Sequence, residues 1–244
     1  MKRKIVALGG GRGIKTLSID KEIIQLSNKK NPRLLFIPTA SGDSQEYVDI
    51  MEKHFTELGA IFDTLFLVKD NPDLAIIKEK IATADIIYVG GGNTLKMMNR
   101  WRRLGVDKEL DKARARGAVL CGVSAGSICW FNYGNSDSRK SINPDADYIK
   151  VTGLGFINAL HCPHFNSESD RKDSLIRMMK KSSLVAIALD DFAALEIVDN
   201  TYRIITSHKK AHAYKIYWKD DSTHQEKIEQ KNDFQPIDAL LKKI

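Results

Sequence analysis

Gly117 to Ser127 reads GAVLCGVSAGS, an apolar run that breaks into a Gly-Val-Ser-Ala-Gly turn, and its form recurs through the first half of the chain. KIVALGGG at Lys4 to Gly11, RLLFIPTAS at Arg33 to Ser41 and DIIYVGGGNT at Asp85 to Thr94 pass in the same way from Val, Ile and Leu into small residues, and DTLFLV follows from Asp63. Short apolar runs bounded by turn residues read as buried strands. Between them, Glu46 to Leu58 sets Tyr47, Ile50, Met51, Phe55 and Leu58 at helical spacing, and Asp73 to Ile81, Thr94 to Leu104 and Asp107 to Arg116 are similarly patterned. Gly117 suits a helix stop. Strands alternating with crossover helices predict an α/β fold of three layers, a mostly parallel sheet with helices on both faces.

Beyond Tyr133 the texture changes. GNSDSRKSINPDADY predicts a polar loop, long for a compact domain, which serves either a function or the surface. LHCPHFNSESD and a helix from Ser169 to Lys180 follow. SLVAIALDD, AALEIVD, TYRIITS and AYKIYWKDD predict strands joined by tight turns such as Asp199-Asn200, an antiparallel close to the fold. Phe234 to Ile244 predicts a terminal amphipathic helix. Without repeats or low-complexity segments, residues 1–244 are expected to form one domain.

Composition excludes other classes. The 244 residues hold 38 Lys+Arg against 31 Asp+Glu, a net charge of +7, and three cysteines. The lysines are scattered and no basic stretch is interleaved with aromatics, so no nucleic-acid partner is expected, although the net field suits acidic small substrates. Cys121, Cys129 and Cys162 cannot close a disulfide framework and lack zinc or redox spacing, which points to a reducing cytoplasm. The apolar run Ile5 to Leu8 is too short for a signal segment, and neither a membrane span nor a lipidation motif is expected.

In open parallel sheets, ligands sit beyond the carboxyl ends of strands. The sharpest such end is Gly122-Val123-Ser124-Ala125-Gly126, between a strand at Ala118 to Cys121 and an expected helix at Ser127 to Phe131. A serine on a strained strand-to-helix turn needs small neighbours. Equally, both glycines permit a plain tight turn with Ser124 capping the helix. Gly90-Gly91-Gly92-Asn93-Thr94 brings bare amides to a second strand end, where Gly91 and Gly92 with Ala125 are candidates for an oxyanion hole; a phosphate cradle or simple turn would use the same glycines. Gly9-Gly10-Gly11-Arg12-Gly13 lacks the dinucleotide register.

A serine nucleophile needs a base and an orienting acid. His54, on a helix pattern, and His224, in a charged tail, are expected at the surface. His161 and His164 flank Cys162-Pro163 beyond an apolar segment, and the next strand ends in Leu189-Asp190-Asp191, which supplies an acid in the same layer. The order Ser, His, acid differs from that of α/β-hydrolases. His161, Cys162 and His164 lack the partners of a metal site, so neither metal nor organic cofactor is expected.

FIPTAS at Phe36 to Ser41, VGGGNT at Val89 to Thr94, GVSAGS at Gly122 to Ser127, PHF at Pro163 to Phe165 and ALDD at Ala188 to Asp191 together resemble the peptidase E and cyanophycinase family of serine peptidases. The resemblance spans most of the chain. It implies a sheet related to class I glutamine amidotransferases (flavodoxin-like), with Ser124 as nucleophile, His164 as general base and Asp191 as the third member. Relatives commonly carry glutamate there, and Asp190 or Asp137 are the alternatives. It further implies Asn93 and Arg171 as substrate contacts, Arg171 as a bidentate partner for an aspartyl carboxylate; an ordinary exposed helix arginine is the other reading. Peptidase E relatives cleave dipeptides with N-terminal aspartate and cyanophycinases cut a β-linked aspartyl-arginine polymer. A small aspartyl peptide is therefore the expected partner, with a homodimer compatible. An isoaspartyl peptidase or a non-catalytic binding relative are the alternatives. The chain lacks the insertion that peptidase E carries between PHF and that arginine.

Overall fold

A computed structural model describes residues 2–11 and 13–243, and of Ile14 the backbone alone. In chain order the elements are β1 (Lys4–Leu8), α1 (Leu17–Leu26), β2 (Arg33–Ile37), α2 (Gln45–Glu57), β3 (Ile61–Thr64), α3 (Leu74–Thr83), β4 (Ile86–Val89), α4 (Thr94–Leu104), α5 (Val106–Ala115), β5 (Val119–Val123) and α6 (Ala125–Ile128). There follow β6 (Phe131–Ser136), β7 (Ile149–Thr152), β8 (Ile157–Cys162), α7 (Ser169–Met179), β9 (Ala186–Leu189), β10 (Ala193–Val198), β11 (Thr201–Thr206), β12 (Ala213–Lys219), β13 (Ser222–Ile228), β14 (Gln235–Pro236) and α8 (Ile237–Leu241).

Among the described residues the strands form two sheets. The larger has the order β14-β11-β10-β1-β5-β4-β2-β3, and the smaller β13-β12-β9-β8-β6-β7. From β1 to β3 the larger sheet is parallel, with Lys4 opposite Val119 and Leu8 opposite Val123. Strands β10, β11 and β14 close it antiparallel.

Period-two alternation decides what each face buries. Val6, Leu8, Leu34, Phe36, Ile86 and Tyr88 pack with Ile19, Ile23, Val48 and Phe55 of α1 and α2. The residues between them, Ile5, Ala7, Leu35, Ile37, Ile87 and Val89, share a core with Ile77, Met97, Trp101 and Leu110 of α3 to α5 and with Ala159, Ile187 and Leu189 of the smaller sheet. Leu175 and Met179 of α7 cover that sheet's other face, against Leu160, Cys162, Ala186 and Ala188. This is the α/β architecture expected, helices on both faces included, with one addition. Strands β6, β8 and β9 leave the main sheet for a second one. The carbonyls of Cys129, Trp130 and Phe131 are taken by the amides of Leu154, Ile157 and Gly155, which stops α6 after one turn and sends the chain into β6. No full crossover helix is left to return it to the first sheet.

The same pairing corrects the helix expected at Ser127 to Phe131, which spans Ala125–Ile128. The polar loop also begins later than expected, because Gly134, Asn135 and Ser136 complete β6 in the interior. Asn135 Nδ2 donates to Ser174 Oγ at 3.0 Å and Ser136 Oγ meets Thr94 Oγ1 at 3.2 Å, which offsets part of the cost of burial, while Asn135 Oδ1 has no partner among the described residues. β3 stops at Thr64, and the amides of Val68 and Lys69 turn to Asp43 Oδ2 at 2.6 and 3.0 Å instead of a strand partner. His54 is not a surface residue: it reaches the buried Asp20 at 2.9 Å. His224 lies in β13, stacked 5.0 Å from the Tyr217 ring. The terminal helix is confined to Ile237–Leu241, while Arg12 of the opening glycine run and Ile244 lie outside the described residues. Cys121, Cys129 and Cys162 are free and buried.

Gly122 and Gly126 let α6 close on β4 and β5. A Cβ on Gly126 would lie 2.0 Å from the Val89 carbonyl oxygen, backbone that cannot swing aside. Overpacking of this kind costs about 1–3 kcal/mol. Gly126→Ala is accordingly expected to lower Tm by roughly 2–12 °C, at about 2–4 °C per kcal/mol for a chain of this size; an unchanged thermal transition would contradict this packing.

Candidate functional site

The last strand residue of β1 and the two glycines after it present consecutive carbonyls to three distant segments. Leu8 O accepts from Ser124 N at 3.2 Å, Gly9 O from His164 N at 3.2 Å, and Gly10 O from Phe192 N, next to Asp191, at 3.0 Å. Each segment is strained where it arrives: φ is +56° at Ser124, +53° at His164 and +68° at Phe192. Non-glycine residues held at positive φ cost about 1–3 kcal/mol and persist only where the surroundings over-determine them. Here the supporting hydrogen bonds come from one strand end.

Ser124 stands at the start of α6 with ψ −113° and makes no side-chain capping bond, so the plain capped turn is not what forms. Among the described residues its hydroxyl has no hydrogen-bond partner, His164 included. Catalytic hydrogen bonds are often long in a free enzyme and tighten once substrate is bound. His164 Nδ1 lies 2.6 Å from Asp191 Oδ1. That bond, foremost, holds the Asp191 carboxyl below its ordinary range, so an ionised Asp191 accepts the Nδ1 hydrogen. The Asp191 amide in turn donates to Asn166 Oδ1 at 2.9 Å. Gly10 makes room for the pair: a Cβ there would meet Asp191 Oδ1 at 1.8 Å and His164 Nδ1 at 2.5 Å.

The other two acids lie elsewhere. Asp190 is buried, accepts the His212 amide at 2.9 Å through Oδ2, and has its carboxyl pushed up by burial. Asp137 lines a cleft of about 890 Å³ that also takes in Ser124, Gly92, Asn93, Lys96, Arg100 and Lys140. This volume suits a small ligand. Of the glycine amides expected to stabilise an oxyanion, Gly92 lines the cleft, whereas the Gly91 N–H faces the Tyr47 hydroxyl at 3.5 Å. Ala125 opens α6, where a helical amide has no intrahelical acceptor.

Asn93 and Arg171 are more committed than the sequence suggested. Asn93 Oδ1 caps α4 by accepting from Lys96 N at 3.0 Å, while Nδ2 donates to Ser138 O at 2.8 Å and Ser141 Oγ at 3.0 Å. It fastens the 137–148 loop over the N-terminus of α4, so that loop is a wall of the cleft and not surface decoration. Arg171 is 1% exposed, which excludes the ordinary exposed helix arginine. Its guanidinium donates to Glu168 Oε2 at 2.8–2.9 Å and Asn135 O at 2.9 Å, and lies 4.7 Å from the Tyr148 ring centre. A substrate carboxylate would have to displace Glu168 to reach it. Arg100 is similarly occupied, by Leu67 O and Asn71 Oδ1. Lys140 lies over the Tyr148 ring at 4.1 Å, and the Lys96 ammonium has no partner among the described residues.

Sequence reasoning missed Gly10, Asn166 and Lys96. Gly10 carried a signal, since a glycine run without a phosphate register asks for another cause of close approach. A lysine on an amphipathic helix carried none.

A family model described as peptidase family S51 matches residues 5–205. The peptidase YgaJ of Bacillus subtilis (strain 168) is 35% identical over 220 residues, covering 88% of this chain and 92% of that protein. Peptidase E of a Nostoc species is 24% identical over 196 residues, covering 76% and 77%. The crystal structure of a peptidase from an acI-B1 Actinobacterium superposes with a TM-score of 0.72 at 19% identity, over 97% of both chains, and so shares the fold. The family match begins in β1 and ends in β11, taking in each strand end and turn described above, and the chain therefore belongs to peptidase family S51 and is a serine peptidase.

Proposed function

We propose that the protein hydrolyses short peptides containing an aspartyl residue, through an acyl-enzyme on Ser124. The observation that carries this reading is the 2.6 Å His164–Asp191 pair, hung from the same strand end as a strained serine whose hydroxyl is uncommitted. In the reaction His164 Nε2 takes the Ser124 proton as Oγ attacks the scissile carbonyl. Asp191 holds the imidazole in the required tautomer and stabilises its charged form. The amides of Gly92 and Ala125 face the oxyanion. His164 then gives its proton to the departing amine as the C–N bond breaks, and water, activated by the same imidazole, hydrolyses the ester.

Two features of the cleft favour an acidic, short substrate. Lys96, Lys140 and Arg100 outnumber Asp137 among its charged residues, and Lys96 is the one with a free ammonium among those described. The loop fastened by Asn93 stands across one side, which suits a short peptide better than a long polymer. Three buried thiols fit a reducing cytoplasm.

Ser124→Ala is expected to lower kcat by about 10⁴-fold or more on the best substrate of a panel of aspartyl dipeptides, isoaspartyl peptides and p-nitrophenyl esters, with products followed by mass spectrometry. Full activity in the variant would overturn the mechanism, and turnover of esters alone would overturn the substrate class.

Lys96→Ala is expected to raise KM for an acidic peptide about tenfold with kcat little changed, the loss of one charge-assisted hydrogen bond, and to leave an uncharged peptide unaffected. Equal effects on both peptides would remove Lys96 from substrate recognition.

Gly10→Ala pushes a methyl group into the His164–Asp191 pair. Steady-state kinetics are expected to show kcat lower by about 10²-fold or more, the cost of roughly 1 Å of misplacement. A wild-type rate would mean that the pair is not part of the reaction.

A further inference from the structure

Directly beneath the elbow lies a second serine and histidine that the mechanism does not use. Ser127 and His161 are both fully buried. Ser127 Oγ is 2.8 Å from His161 Nε2 and 2.7 Å from the Ser124 carbonyl oxygen, and His161 Nδ1 is 2.9 Å from Ile187 O. The His161 ring is stacked on Phe131 at 4.5 Å.

Counting protons fixes the direction of these bonds. Ile187 O can only accept, so His161 Nδ1 carries a hydrogen. Burial pushes the imidazole down to about 3, so the ring is neutral and Nε2 is a lone pair in need of a donor. Ser127 has one hydroxyl hydrogen for two acceptors. The Ser124 carbonyl is already served by the amides of Ser127 at 3.0 Å and Ile128 at 2.9 Å. The one hydroxyl hydrogen is thus shared between Ser124 O at 2.7 Å and His161 Nε2 at 2.8 Å, and of these two acceptors the imidazole is the one with no other donor.

The placement of this bond gives it a consequence. Ser127 is three residues after the nucleophile and His161 three residues before the base. Their hydrogen bond thus closes a short circuit from Ser124 through Ser127 and His161 to His164. His161 also pairs across the sheet with Ile187 of β9, the strand that ends at Asp191. One buried contact ties the elbow of the larger sheet to both strands of the smaller sheet that deliver the dyad.

We propose that Ser127 and His161 are positioning residues, a brace that sets the spacing of Ser124 from His164, and this rests on the acyl-enzyme reading above. Threonine and valine at position 127 have the same shape and differ in the hydroxyl, and alanine removes the hydroxyl without adding bulk. The variants Ser127→Thr, Ser127→Val and Ser127→Ala, with His161→Gln and the double variant Ser127→Ala/His161→Gln, would be compared by kcat, KM and the rate at which a fluorophosphonate labels Ser124. Valine and alanine are expected to lower kcat and labelling by about 10²-fold with KM within about twofold, and threonine to recover at least tenfold over valine. The double variant should be no slower than its slower parent, as for residues acting through one contact. Equal rates for threonine and valine, or additive losses in the double variant, would overturn the brace while leaving the peptidase reading intact. Failure of the wild-type protein to be labelled at Ser124 would overturn the acyl-enzyme reading and the brace with it.

Discussion

The arrangement depends on a run of three carbonyls at the end of β1. Leu8, Gly9 and Gly10 each accept one amide, from Ser124, His164 and Phe192, and so space the three segments at the interval of a single extended backbone. A neutral hydrogen bond contributes only about 1 kcal/mol net, comparable with the strain at any one of the three positive φ angles. The bonds therefore do not add surplus stability; they make strained conformations the lowest available ones. Because β1 lies centrally in the larger sheet, flanked by β5 and β10, the ruler itself is held on both edges.

The two sheets divide the labour around that ruler. The larger contributes the elbow, with glycines that bring α6 onto the β4 backbone. The smaller contributes β8 and β9, parallel neighbours whose ends carry His164 and Asp191. A third unit supports the cleft: Arg171 of α7 joins Glu168, Asn135 of β6 and Tyr148 at the far end of the 137–148 loop, while Tyr148 itself donates to Glu168 Oε2 at 2.7 Å. Arg171 and Tyr148 together draw the Glu168 carboxyl below its ordinary range in spite of burial. The charge in this region is consumed in holding the loop base.

Much of this was legible from sequence where one local rule decided the matter. The parallel sheet followed from apolar runs of strand length ending in small residues, and Ser124 stood out because the glycines two residues to either side satisfy a steric demand that a turn of this kind always makes. Where two neighbours obey the same local rule, sequence cannot choose. Asp190 and Asp191 are adjacent acids after one strand, and their side chains leave the backbone in different directions, toward His212 and His164. His161 and His164 flank one proline, yet one ends in the interior and the other at the strand end. β13 escaped notice because an edge strand with a solvated face tolerates Ser, Thr, His, Gln, Glu and Lys, so its alternation is faint. Likewise, β6 hides its buried Asn135 and Ser136 in a polar composition, since the partners that make burial tolerable come from α7 and α4.

The loop between β6 and β7 joins the last two strands of the smaller sheet, and β7 lies on its edge. Chain can be inserted or removed there without crossing the segments that carry Ser124, His164 and Asp191, and each doubling of a loop's length costs only about 0.6 kcal/mol. Evolution can thus reshape one wall of the cleft, lengthening or trimming a single hairpin connection, while the three segments anchored at the end of β1 are inherited unaltered.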